Sequence, residues 1–168
     1  MIVYHPAFDF YHGAFRMLLL LHRMKKESIE VEALRIWDFY FVFPSEVKNL
    51  SFPNEFAALR RVFKEKPNPY EDVVNPLRIF DRMRTFQLAA LKYLSAHGFI
   101  DTAALQANRV KRTTKPIPDT LLERMTDLPT SQDNVVKLIV SPFIDLQLLG
   151  KKGLKDRSGL IEHRYDVA

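Results

Sequence analysis

The feature that most constrains this fold is a long helix predicted over residues 76–97, because it carries apolar residues on two faces. Asn75 is a suitable N-cap, Pro76 suits the first helical position, and Gly98 suits a left-handed helix end. The two faces carry Leu77, Phe80, Leu91 and Leu94, and Ile79, Met83, Phe86, Ala90 and Tyr93. A helix that is apolar on two faces must be covered from more than one side. The sequence therefore predicts a central helix with other helices packed around it.

Further helices are predicted on both sides of this central element. Asp9 is a good N-cap for a helix that runs to about Lys26, with apolar residues recurring at spacings of three and four. Ser28 is the predicted cap of a second helix. Residues 39–43, FYFVF, are ambiguous because aromatic and β-branched residues also favour strands. Shorter helices are predicted at residues 55–66, 102–108, 118–127 and 132–140, and either Asp101 or Thr102 is the predicted cap of the second of these.

The tail is predicted to form a β-hairpin, since a turn cluster at 156–159 precedes an alternating pattern at 160–167. Helices followed by a hairpin are compatible with a winged helix, in which the hairpin is the wing. The predicted class is therefore mainly α (α+β), a winged-helix-like helical domain with a C-terminal β-hairpin wing. The length favours a single domain over residues 1–168, and a proline-rich break at 66–76 allows a subdivision into 1–66 and 75–168.

Two short segments hold the excess positive charge. The net charge is +5, yet residues 107–116 carry +4 and residues 150–159 carry +3, so the rest of the chain is slightly acidic. Clustered cations in loops are typical of nucleic-acid contact, although they are also common in solvated turns. The candidate nucleic-acid-binding residues are Arg109, Lys111, Arg112, Lys115, Lys151, Lys152, Lys155 and Arg157.

Aromatic residues are frequent, with thirteen Phe and one Trp, and several crowd into one region. Such a group either forms part of the core or supplies a surface for a protein partner. The candidate partner-binding residues are Trp37, Phe39, Phe41, Phe43, Phe52 and Phe56.

Composition excludes several classes of function. The chain has no Cys, which removes disulfides, thiolate metal sites and thiol nucleophiles. Its longest apolar run is residues 17–21, far below the roughly 20 residues of a membrane span, and residues 1–12 do not resemble a signal peptide. These features predict a cytoplasmic protein without membrane contact.

Motifs for catalysis are weak, so we expect no enzyme activity and no cofactor. Gly residues are scarce and no P-loop or nucleophile-elbow pattern is present. His5, Asp9 and His12 are the one candidate metal cluster, and they would suit a hydrolase with a metal-bound water. The alternative is that Asp9 caps the first helix while His12 lies in its first turn.

The N-terminus resembles a known family. The stretch IVYHPAFDFYH at residues 2–12, followed by AFRML at 14–18, resembles the opening of middle components of three-component ABC-ATPase systems in bacterial defence, the Lamassu-type group. YLSAHGFI at residues 93–100 is similar to a helix-to-strand step of winged-helix subunits in that group. The resemblance is carried mainly by the N-terminal third of the chain.

This resemblance implies an accessory subunit that binds an SMC-like ABC ATPase and an effector subunit such as a nuclease. In that complex the apolar and aromatic helices would dock on the ATPase, the two basic loops would touch duplex DNA, and no residue would perform chemistry. The alternative is a free-standing winged-helix DNA-binding regulator, for which Gln106, Asn108 and Arg109 are the candidate base-contacting residues.

Overall fold

A computed structural model of the chain describes residues 4–63 and 73–161, and these residues are mainly helical. Within these two ranges, four 3₁₀ helices lie at Pro6–Phe8, Pro44–Asn49, Asn54–Phe63 and Phe143–Asp145. The α-helices are α1 (Phe10–Met24), α2 (Val31–Val42), α3 (Pro76–Ala96), α4 (Thr102–Gln106), α5 (Asp119–Thr126), α6 (Thr130–Val140) and α7 (Leu154–Ser158). The strands are β1 (Ile29–Glu30) and β2 (Arg109–Val110).

Three helix starts follow the predicted capping residues. The carboxylate of Asp9 accepts a hydrogen bond from the backbone N–H of His12 at 2.9 Å, which caps α1. Asn75 caps α3, and Asp101 caps α4 through the N–H of Ala104 at 2.7 Å. Each side chain satisfies a backbone donor that has no partner inside the helix.

Helices α1 and α3 form the centre of the fold and run in opposite directions. Tyr11 contacts Tyr93, whereas Gly13, further along α1, lies against Ala90, which comes earlier in α3. A Cβ atom at Gly13 would lie 3.3 Å from the Cβ of Ala90, so glycine allows the two helix backbones to approach closely here. Helix α2 packs on both, and nearly all of its side chains are buried. The long helix is therefore covered from more than one side, as its two apolar faces predict.

A small antiparallel sheet changes the start of α2. Ile29 pairs with Val110 and Glu30 with Arg109, and a separate bridge joins Ile100 to Arg112. Because β1 occupies the two residues before Val31, α2 begins after them. The prediction that Ser28 caps this helix is therefore wrong, and Glu30 precedes its first residue.

The predicted C-terminal hairpin is wrong over the residues that the structure describes. Leu154–Ser158 is one short α-helix where the sequence predicted a hairpin approach and turn, and Gly159 ends it in the left-handed conformation at φ 64°. Most of the alternating segment, from residue 162 onward, lies outside the described residues. Residues 66–72 of the proline-rich break also lie outside them. Residues 39–43, which the sequence left ambiguous between helix and strand, are helical up to Val42. Asn54–Phe63 is a 3₁₀ helix and ends at Phe63 within the described residues.

Candidate interaction surfaces

The first two cations of the loop at 107–116 are paired with groups around β1. The Arg109 guanidinium donates to the hydroxyl of Ser28 at 2.8 Å and 3.0 Å and lies 3.4 Å from the carboxylate of Glu30. Lys111 lies 3.6 Å from the carboxylate of Glu27. These contacts tie the loop to the strand pair and offset part of its charge. Arg109 is thus held along the sheet rather than free to read a base.

The other two cations of this loop bind backbone carbonyls at the end of α3. Arg112 donates to the carbonyls of Phe99 at 2.7 Å and Lys115 at 3.0 Å. Lys115 Nζ donates to the carbonyl of His97 at 2.6 Å, where the negative end of the helix dipole favours a cation. Among the described residues neither has a carboxylate partner, so this part of the loop remains positively charged.

The positive charge around Arg112 and Lys115 extends to the C-terminal end of α1. Burial lowers the pKa of His22, and the neighbouring charges of Arg112, Lys25 and Arg23 lower it further. Burial also lowers the pKa of Arg112. We call these four residues, together with Lys115, the α1–β2 basic patch. Sequence composition located only the two of them that lie in the loop.

The second basic loop is placed on different elements. The N–H of Lys152 donates to Asp156 at 2.9 Å, and Lys152 adopts a left-handed conformation at φ 67°. Arg157 donates to the carbonyl of Lys152 and, at 3.1 Å, to the carbonyl of Ser51 before the 3₁₀ helix Asn54–Phe63. Lys151 is exposed and Lys155 is half-buried. The Arg157 side chain therefore connects the C-terminal segment to Ser51 and also carries a positive charge near the surface.

Most of the candidate partner-binding aromatics lie in the core. Trp37, Phe39, Phe41 and Phe52 are each 6% exposed or less, so they contact other parts of this chain and not an exposed surface. Phe41 and its neighbours face both sides of α2, which is buried nearly all round. The remaining two, Phe43 and Phe56, are partly buried and pack against the same core.

The candidate metal cluster is used for local structure. His5 Nδ1 accepts a hydrogen bond from the N–H of Ala7 at 3.1 Å, and its ring stacks on Phe43 at 5.5 Å. Asp9 caps α1, and the hydrogen bond from the His12 backbone lowers its pKa. The ring of His12 is 3.3 Å from that carboxylate and bonds to the hydroxyl of Tyr4. Across residues 4–63 and 73–161 no group of three or more His, Asp or Glu side chains is arranged to hold a metal ion.

A buried polar network between α1, α2 and α3 was missed by the sequence analysis. Asp38 is 0% exposed and accepts bonds from Arg16 Nε at 2.6 Å and Nη2 at 3.1 Å, and from Gln87 Nε2 at 2.9 Å. Arg35 is 2% exposed and donates to Gln87 at 2.8 Å and to Glu32 at 2.6 Å. A lone charge at Arg16 within an apolar stretch is the only signal that the sequence offers.

This buried network has no open position for a substrate. In the described part of the chain, none of the buried side-chain nitrogen and oxygen atoms of Arg16, Arg35, Asp38 and Gln87 lacks a hydrogen-bond partner. A satisfied buried network of this kind fixes the relative positions of helices. We assign this network to the fold.

Comparison with known proteins gives one match across nearly the whole chain. Residues 2–166 match the model of a family described as ABC-three component (ABC-3C) system Middle Component 5. No curated protein and no solved structure matches. None of the described helices combines the length and the apolar character needed to cross a membrane.

Proposed function

Since the chain belongs to the ABC-three component (ABC-3C) system Middle Component 5 family, we propose that it is a non-catalytic accessory subunit of a bacterial defence complex. In this proposal it docks on an SMC-like ABC ATPase and on an effector subunit such as a nuclease, in the manner of Lamassu-type systems. The complex acts in the cytoplasm against phage or plasmid DNA.

The family match over residues 2–166 is the observation that carries this proposal. It agrees with the resemblance to middle components that residues 2–12 and 14–18 carry. The geometry supports a role without chemistry, because His5, Asp9 and His12 each have a structural partner of their own. In this proposal the subunit takes part in the complex through its binding surfaces and performs no chemistry.

Contact with duplex DNA is the second part of the proposal. The α1–β2 basic patch supports it best, because Arg112 and Lys115 bind carbonyls and keep their charge. Lys111, Lys151, Lys152 and Lys155 would add phosphate contacts, and such contacts would make binding fall steeply with salt. Arg157 also binds carbonyls, those of Lys152 and Ser51, and would add a further phosphate contact. Arg109 would contribute less, since its guanidinium group donates to Ser28 and lies 3.4 Å from the carboxylate of Glu30.

The test is co-expression of the tagged chain with the ABC component and the effector component of its own system. Purification at moderate salt with nuclease present should recover all three proteins in fixed proportion. Recovery of the chain alone, while it binds duplex DNA with a clear salt dependence, would contradict the complex and favour a free-standing DNA-binding regulator.

A further inference from the structure

Aromatic rings cluster where α1 begins and α3 ends, and two of them, Tyr11 and His97, are exposed. Tyr11 is 60% exposed, and its ring lies 4.0 Å from that of Phe10 and 5.5 Å from that of Tyr93. The ring of Tyr93 in turn lies 4.2 Å from that of His97. Isolated exposed aromatics are ordinary, but a contiguous group on one face is typical of an interaction site. Tyr is also among the residues that dominate binding energy at interfaces.

A cleft of about 390 Å³ opens beside these rings, between α1, the end of α3 and α5. Tyr11 and Tyr93 line the cleft together with apolar side chains. These apolar residues are Phe15, Leu18, Leu94, Phe99 and Leu121. The cleft has room for one or two apolar side chains of another molecule. We call it, together with Phe10 and His97, the aromatic cleft.

The charges at the aromatic cleft are positive. Arg124 lies 5.2 Å from the Phe15 ring centroid, and Lys115 Nζ lies 4.5 Å from the Phe99 centroid. Neither cation has a carboxylate partner within the described ranges, and no Asp or Glu of these ranges lines the cleft. Asp9, which precedes α1, accepts a hydrogen bond from the backbone N–H of His12 and lies 3.3 Å from its ring. Charge complementarity therefore favours an acidic occupant.

We propose that the aromatic cleft binds an acidic segment of the ABC ATPase subunit that carries one or two apolar anchor side chains. This inference rests on the proposed function, which supplies the partner, and adds the surface and the chemistry of the docking segment. The anchors would enter between Tyr11 and Leu121, while carboxylates of the same segment would pair with Arg124 and Lys115.

The arrangement of the rings favours a protein over a single-stranded nucleic acid. Bases bind aromatic side chains by stacking on their open faces. Here the Tyr11 and Phe10 rings meet Tyr93 edge to face at 78° and 62°, so part of each ring is already covered by its neighbour. Part of the cleft lining is aliphatic, at Leu18, Leu94 and Leu121, which suits an apolar side chain better than a base.

The experiment is a binding titration of the full chain against the purified ABC ATPase of the same system. Tyr11→Ala and Arg124→Glu should each weaken binding about tenfold or more, as central aromatic and arginine residues of interfaces do. Leu77→Ala and Arg61→Glu are matched controls, since both residues are exposed and lie away from the cleft. The controls should bind within about twofold of the unmodified chain, because substitutions outside an interface leave its contacts intact. All four variants should retain the unmodified melting temperature.

Three results would overturn the inference, and they differ in what they leave standing. Unchanged binding of Tyr11→Ala and Arg124→Glu would exclude the aromatic cleft but leave the complex intact. If the unmodified chain binds neither the ABC ATPase nor the effector subunit, the proposed function itself is overturned. Loss of binding to a single-stranded oligonucleotide by Tyr11→Ala, with ATPase binding unchanged, would assign the cleft to nucleic acid.

A photocrosslinking amino acid at position 11 tests the chemistry of the occupant. The crosslinked ATPase peptide should be acidic and contain an apolar residue. A basic crosslinked peptide would overturn the charge argument based on Arg124 and Lys115.

Discussion

The charged side chains between α1, α2 and α3 differ from the cations of the surface loops in what they bind. Inside the bundle, the Arg16 guanidinium meets the carboxylate of Asp38, and both are nearly inaccessible to solvent. At the surface, Arg112 and Arg157 donate to backbone carbonyls. The inner charges are therefore neutralised, whereas the outer ones keep a net positive charge.

This difference distinguishes the charged residues that hold the helices together from those whose charge remains at the surface. A buried ion pair holds helices in one arrangement, and removal of one partner leaves an uncompensated charge in the core. A guanidinium that binds carbonyls stabilises its loop and still attracts anions. The same residue type thus serves the fold at position 16 and keeps a positive charge near the surface at position 112.

The largest effect is expected from removing one partner of the buried pair. Asp38→Leu should lower the free energy of unfolding by about 3–5 kcal/mol, because the Arg16 charge stays buried without a counter-charge. The double variant Arg16→Met/Asp38→Leu should regain most of this loss, since similar apolar pairs often replace buried ion pairs without cost. Urea denaturation measures both. A double variant as unstable as Asp38→Leu would show that the carboxylate acts mainly through Gln87.

Gln87→Leu should have the next largest effect. The Gln87 side chain accepts from Arg35 Nε at 2.8 Å and donates to Asp38 at 2.9 Å, so it links the two charged residues. Leucine is similar in size but leaves Arg35 Nε without its acceptor and removes one of the hydrogen bonds to the Asp38 carboxylate, at a cost of about 1–3 kcal/mol. The measurement is again urea denaturation, with the exposed substitution Gln106→Leu as a control expected to change stability by less than about 0.5 kcal/mol. Equal losses in both variants would contradict a linking role for Gln87.

Among the loop cations, Arg112→Ala should cost about 1 kcal/mol, because the bonds to the Phe99 and Lys115 carbonyls disappear. Lys111→Ala should change the free energy of unfolding by less than about 0.5 kcal/mol, since its pair with Glu27 is exposed. Both variants remove one positive charge, so duplex DNA binding should weaken in both. Thermal unfolding and a salt titration of DNA binding separate the two effects. Equal stability of the two variants would show that cations bound to carbonyls stabilise the fold no more than exposed ones.

Sequence predicted the parts of this structure that depend on near neighbours. Asp9, Asn75 and Asp101 act within three residues of their own position, and all three cap the predicted helices. The Arg16–Asp38 and Arg35–Gln87 contacts join residues 22 and 52 positions apart, so local spacing contains no trace of them.

The surface was predicted less well than the helices. Composition located the loop cations, but their carbonyl partners exist only after folding places the loop at the end of α3. Burial of Trp37 and Phe41 could not be predicted because α2 is covered nearly all round. Leu154–Ser158 has the composition of a turn, and its helical form depends on bonds such as that from the N–H of Leu154 to the carbonyl of Gln147 at 2.7 Å.

The smallest effect concerns the α1–β2 basic patch and is a dependence of stability on pH. The pKa of His22 is lower in the folded chain than its ordinary value of 6.5, first through burial and then through Arg112, Lys25 and Arg23. The folded state therefore binds a proton more weakly than the unfolded state. Stability from this group is complete above pH 6.5 and is lost as pH falls towards the folded pKa.

His22→Gln should remove this slope, and Arg112→Ala should move the pKa of His22 back towards its ordinary value. An NMR titration of the His22 ring in the unmodified chain and in Arg112→Ala measures the shift directly. Lys111→Ala is the control, because Lys111 is not among the charges that act on His22. An identical His22 titration in Arg112→Ala and the unmodified chain would show that the Arg112 charge does not act on His22. The basic patch would then consist of two separate groups of cations.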